Sequence, residues 1–204
     1  NAFTRLIYVR FVMHRNKLLR LLEEYSPEDR EEIDCKLRFL DFIKTYSDCF
    51  KRELEIGHFT GSSWLENCDG TKFLLTKHKK LGRWWKLGGH ADGDSDILNV
   101  AMREAKEESG LKNIEPVFSG IFDIDYLISP VNNGVTAHYH YDVSFLLRAS
   151  NENEKIQISD ESEDLQWFDT LPTDEIAYGF GPNGEDINNF TLNRLFRKWK
   201  ALRY

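Results

Sequence analysis

The spacing of apolar positions changes along this chain, and each change predicts a different element. Over residues 14–25, Leu18, Leu19, Leu21 and Leu22 fall on one broad helical face. Ser26-Pro27-Glu28-Asp29 reads as a helix start, with serine as N-cap, proline at the first helical position and acids behind it. A second helix is predicted to about Tyr46, with Ile33, Leu37, Leu40 and Ile43 as its stripe. The pair forms a helical hairpin suited to covering the core of a larger domain. Residues 58–66 and 72–78 are strand-like, and Asn67-Cys68-Asp69-Gly70 between them carries an Asp-Gly hairpin signal. A loop rich in Gly and Trp, 81–93, leads to a helix over 96–109 closed by Gly110. Strands are predicted over 117–128, 137–147 and 166–168, and an amphipathic helix over 185–202 with Phe190, Leu195, Phe196 and Trp199. Hairpins and packed helices together give an α/β class with helices on a mixed sheet.

Composition narrows this picture. A length of 204 residues suits one domain with an added segment, read as a helical extension over 1–57 and a main domain over 58–204. A 41% hydrophobic content supports a core, and a formal net charge of -7 disfavours a general nucleic-acid binder, though not a binder of small anions. Cys35, Cys49 and Cys68 are odd in number and form no C-x-x-C pair, which points to a reducing, cytoplasmic setting. No apolar run reaches membrane-spanning length: the stretch 6–13 is broken by Arg10 and lacks a signal-peptide cleavage site. Asn1-Ala2 as a tag remnant and Met13 as a native start are both left open.

The candidate chemistry lies in Arg103-Glu104-Ala105-Lys106-Glu107-Glu108. At about 100° per residue, Glu104, Glu107 and Glu108 share one arc of the helix, while Leu98, Ala101, Met102 and Ala105 fill another. Clustered carboxylates suit Mg2+ or Mn2+. The charge run alone favours a plainer reading, a solvated acidic face with Arg103 and Lys106 as partners.

The flanking residues change that balance. Gly88-Gly89 precedes the helix and Gly110-Leu111 follows it. Residues 89–111 resemble the Nudix box, G-x5-E-x7-R-E-U-x-E-E-x-G-U, with Gly89, Arg103-Glu104, Ala105, Glu107-Glu108, Gly110 and Leu111 in place. Two positions depart: Ser95 stands where the box has its first glutamate, and Leu87 replaces the usual proline before the paired glycines. The resemblance implies a Nudix fold, an α/β/α sandwich, and metal-dependent hydrolysis of the diphosphate in a nucleoside diphosphate linked to another group. It further implies Glu104 and Glu108 as main metal ligands, Glu107 assisting, the Gly89 carbonyl completing the set, and Arg103 orienting the glutamates. Arg103, Glu104 and Glu107 are thus the candidate catalytic residues.

Other residues are candidates for substrate contact. Arg83 belongs to a basic cluster with Lys77, Lys79, Lys80 and Lys86, which either clamps the substrate's phosphates or is an ordinary solvated loop, and Trp84 could stack on a base or sit in the core. His138, His140 and Asp142 alternate along one strand and so share a face. With His90 they could make a second metal site or contact phosphate. A half-exposed strand face with locally hydrogen-bonded histidines is preferred to a metal site, because imidazole is not a favoured magnesium ligand, and proximity to the active site is preferred to coordination. Glu161 and Glu163 occupy a loop where related enzymes place an extra ligand or base. The expected partner is a small nucleoside diphosphate derivative, with no nucleic acid or membrane, and a homodimer left open. Ser95 motivates one rival, a non-catalytic nucleotide-binding regulator, but all three helix carboxylates are kept. An isomerase on the same fold would want a reactive cysteine, and none lies near the box.

Overall fold

Local sequence signals start and stop most of the elements. The computed structural model describes residues 14–79, 82–129, 136–173, 179–180, 186–187 and 190–203. The apolar stretch 6–13, Lys80 and, of the predicted tail helix, residues 185, 188 and 189 lie outside the described residues, while 186–187 are strand rather than helix. Helix α1 (Asn16–Glu24) buries Leu18 and Leu22. Helix α2 (Arg30–Thr45) is capped by Asp29, whose carboxylate accepts the Glu32 N–H at 3.0 Å; Ser26 is not the cap. The predicted stripe of α2 is also turned. Phe39, Phe42 and Ile43 face inward with Glu32, whereas Ile33 and Leu37 are exposed. The reason is tertiary: Tyr25 donates to Glu32 at 2.7 Å and the Lys198 ammonium stands 2.8 Å away, so a carboxylate can occupy an inward position.

The sheet is built on β1 (Gly57–Glu66), buried at every position. It pairs in parallel with β7 (His138–Ala149) along its whole length, from Gly57 opposite Tyr139 to Glu66 opposite Arg148. Its far end forms the expected hairpin with β2 (Phe73–His78), and Gly70 takes the left-handed conformation at φ 70° in the turn. The near end pairs with β4 (Leu87–His90), Thr60 opposite His90 and Gly61 opposite Gly89. Strand β3 (Arg83–Trp85) continues from β2, so the predicted loop 81–93 contains two short strands. Of the predicted strand 117–128 only the second half is strand, β6 (Asp123–Ser129); a short strand not predicted, β5 (Ile114–Pro116), precedes it, and both are antiparallel to β7. Strand β8 (Ser162–Phe168) begins earlier than its composition suggests because it pairs along β2, Ser162 opposite His78. Strands β9 (Gly179–Phe180) and β10 (Asp186–Ile187) pair with each other.

Helices cover both faces. Helix α3 (Ile97–Ser109) packs with α1 and α2 in one core around Phe59, Leu74, Val143 and Phe145. Helix α4 (Phe190–Ala201) closes the other face, where Leu192, Leu195 and Trp199 meet Trp64, Phe73 and Leu75. Strand alternation puts Phe59 and Leu65 in the first core and Trp64 in the second. This is the expected α/β/α sandwich on a mixed sheet with N-terminal helices added.

Candidate active site

Helix α3 is held closely enough to the sheet for its acids to meet strand backbone. Ala101 and Ala105 are fully buried, and a Cβ on Gly61 would lie 2.9 Å from the Ile97 carbonyl oxygen. Asp96 caps the helix and Gly110, at φ 72°, ends it. Glu108 then reaches β4, where its carboxylate accepts the Gly88 N–H at 2.8 Å. A Cβ on Gly89 would sit 2.5 Å from the Glu104 carboxyl carbon, so only glycine fits there without displacing Glu104. The Arg103 guanidinium is 2.7 Å from Glu104 and 3.7 Å from Glu107, and it donates to the His90 carbonyl at 3.1 Å. It therefore ties the helix to the end of β4.

The electrostatics are unbalanced. Burial pushes the Glu108 carboxyl up to about 8, with Glu104, Glu161 and Glu107 adding to the rise against the Gly88 hydrogen bond. Glu104 is also raised, first by burial, although Arg103 opposes this. The β2–β8 pairing brings Glu161, just before β8, into range of both acids. Glu104 and Glu108 thus present buried or part-buried oxygen donors of the kind a hard divalent cation prefers.

The family model for the NUDIX domain matches residues 61–176, more than half of the chain. The chain belongs to the Nudix family. Membership carries the enzyme class with it, a hydrolase acting on diphosphate bonds. No curated protein matches in sequence. A Caenorhabditis elegans Ap4A hydrolase in a binary complex is 18% identical, with 71% of this chain and 96% of that chain covered and a TM-score of 0.48. A Nudix-family hydrolase from Clostridium perfringens is 22% identical, with coverages of 71% and 97% and a TM-score of 0.47. An ADP-ribose pyrophosphatase from Streptococcus suis is 21% identical, with coverages of 72% and 92% and a TM-score of 0.46. At those values the likeness carries no residue role or substrate over to this chain.

Within the Nudix box, the break at Ser95 is cushioned. Ser95 does not cap the helix; Asp96 does. Asp96 accepts from the Asn99 N–H at 3.4 Å, and Asp94 accepts from the Asp96 N–H at 2.9 Å. Two carboxylates thus stand at the helix N-terminus, where the dipole favours negative charge.

The other candidates divide. Arg83 opens β3 and is half-buried. Trp84 is 8% exposed, edge-on to Phe168 in the second core, so its ring serves packing. Lys86 does not belong to a solvated basic loop: it is buried, 2.7 Å from Asp142 and 2.9 Å from the Ser144 hydroxyl. Burial would raise Asp142, but Lys86 with the Ser62 and Thr60 hydroxyls holds it below the usual carboxylate range. Lys79 donates to the Asp160 carbonyl and Lys77 faces Glu163 at 3.9 Å. His90, His138 and His140 do come together, and His58 joins them. His58 was not singled out from the sequence, because only the β1–β7 register sets it opposite His140. Burial brings His58 down to about 4 and His140 down to about 3, so both rings are neutral.

Proposed function

We propose that this chain hydrolyses the diphosphate linkage of a small nucleoside diphosphate derivative, with Mg2+ or Mn2+ held by Glu104, Glu107, Glu108 and the Gly89 carbonyl. We further take 58–204 as the catalytic domain and 1–57 as its helical extension. The observation that carries the reading is the placement of Glu104 and Glu108 against Gly88-Gly89, with burial raising both carboxyls. When bound, the cation supplies charge neutralisation and Lewis acidity at the diphosphate. The chain's own residues do the positioning. Arg103 holds Glu104 toward β4 and fixes the His90 carbonyl, while Gly88 orients Glu108. Glu107 is the most solvent-exposed of the three, its side chain 62% exposed. Arg83 remains the candidate for contact with substrate, whereas His90, at the β4 position after Gly89, turns with His138 and His140 to the other face of the sheet.

The test is phosphate or nucleotide release from a panel of nucleoside diphosphate derivatives, with Mg2+ and with excess chelator. Turnover is expected only with metal. Glu108→Gln should lower it by orders of magnitude, and Ser95→Glu should leave it nearly unchanged or raise it. No hydrolysis by wild type or Ser95→Glu, together with tight nucleotide binding, would replace the enzyme with a regulator.

A further inference from the structure

We infer that His58, His90, His138 and His140 form a second cation site, selective for a borderline transition metal of the zinc class rather than magnesium.

The four rings come from three strands. His58 lies on β1, directly opposite His140 on β7, and His90 ends β4 opposite Thr60 of β1. His138 is two residues before His140, on the same face of β7. One ring nitrogen from each histidine can be chosen so that all four lie within 4.8 Å of one another. The Nε2 atoms of His138 and His140 are 3.1 Å apart. In a tetrahedral zinc site with Zn–N distances of about 2.0–2.1 Å, ligand nitrogens lie roughly 3.3 Å from each other, so this pair already has nearly the right separation.

His58 supplies the second, independent observation. It is 1% exposed, and neither ring nitrogen has a hydrogen-bond partner among the described residues. A neutral imidazole carries one donor and one acceptor, and buried polar groups are almost always satisfied. The His58 ring packs 5.0 Å, centroid to centroid, from each of the other three, so it points into the cluster. His138 is oriented from outside: its Nδ1 bonds the Thr136 carbonyl at 2.9 Å, which leaves Nε2 facing inward. Metal-ligating histidines are held by partners of this kind. Asp142 shares the face but is engaged by Lys86, Thr60 and Ser62. The donor set is therefore all nitrogen, which suits zinc, copper or nickel and is poor for magnesium.

The site is separate from the carboxylates. On β4, Gly89 faces Glu104 of α3, and its neighbour His90 points to the opposite face of the sheet. An ion there would join β1, β4 and β7 just beneath the backbone that meets Glu104 and Glu108.

The experiment uses the full chain, stripped by chelator and titrated with Zn2+ alone, with Mg2+ as the comparison. One tightly held Zn2+ per chain is expected, and Co2+ should give the visible absorption of a tetrahedral site. His138→Gln and His140→Gln should each weaken Zn2+ binding by more than the roughly 10- to 100-fold that loss of an outer partner costs. Glu108→Gln should leave Zn2+ binding unchanged, which keeps this result distinct from the hydrolase reading. His58→Phe preserves an aromatic ring without polar atoms. It should fold, unfold no earlier than zinc-free wild type, and lose the rise in unfolding temperature that Zn2+ gives wild type. Absence of stoichiometric Zn2+, binding indifferent to the histidine variants, or binding that moves with Glu108→Gln would each overturn the site.

Discussion

Glu108, a proposed metal ligand, is the helix carboxyl on which burial acts most strongly. Its carboxyl is nearly buried, takes one N–H from Gly88, and is pushed up to about 8. In the unfolded chain it titrates near its ordinary value of 4.5. Between those values the native state keeps a proton that the unfolded state has released. The stability of metal-free protein should therefore fall as pH rises from about 4.5 to about 8. His58 and His140 act in the other direction. Their contribution is present above 6.5 and lost as pH falls toward about 4 and about 3. The slope from about 6.5 to about 8 thus belongs to Glu108 rather than to these histidines. Urea unfolding across that range, with chelator, should show the loss in wild type and not in Glu108→Gln. Added Mg2+ should reverse it in wild type, because the cation replaces the proton. A slope that survives in the glutamine variant would assign the effect to another group.

Among the elements, α3 depends on how near it can come to β1. Its small residues Ala101 and Ala105 face the sheet, and Gly61 admits Ile97 and Val100. An alanine at Gly61 would put its Cβ 2.9 Å from the Ile97 carbonyl oxygen and 3.0 Å from the Val100 side chain. Neither the helix backbone nor a β-branched neighbour yields easily. Gly61→Ala should cost about 1–3 kcal/mol, the usual range for overpacking, and should lower turnover by lifting Glu104 and Glu108 away from β4. Denaturant unfolding and activity measured on the same preparation check this. A fully stable variant with unchanged turnover would show that α3 has room to move.

For the whole molecule, the N-terminal helices are bound into the sandwich at two places. Phe42 stacks on Tyr141 of β7 at 3.8 Å, and Phe39 meets Phe59 of β1 edge-on at 5.7 Å. At the other place, Glu32 joins a buried ionic group. Lys198 lies 2.8 Å from both Glu32 and Asp123 and donates to the Tyr25 hydroxyl, while Arg194 makes paired hydrogen bonds to Asp123. Removing one partner from such a group leaves charge buried without compensation. Deletion through Tyr46 would strip Glu32 and Tyr25 from Lys198 and uncover Phe59 and Tyr141. The truncated chain should aggregate on expression. A soluble truncation that unfolds cooperatively would show that the sandwich stands without these helices.

What could be read from the chain alone was local. The hairpin at Asp69-Gly70, the extent of α3, its closure by Gly110 and the shared arc of Glu104, Glu107 and Glu108 come from short-range geometry, which a few neighbouring residues determine. The fixed spacing of the box carried the family in the same way. Tertiary structure decided the rest. It turned Glu32 inward and left Ile33 and Leu37 outside, because the partners that make an inward acid tolerable are far away in sequence. It took Lys86 out of the solvated basic cluster and gave it to Asp142, and it brought Glu161 to the acids of α3. It also added His58 to His90, His138 and His140, since a parallel register between β1 and β7 cannot be read from either strand by itself. Periodicity states which side of an element a residue occupies; what stands opposite that side depends on pairing between distant segments.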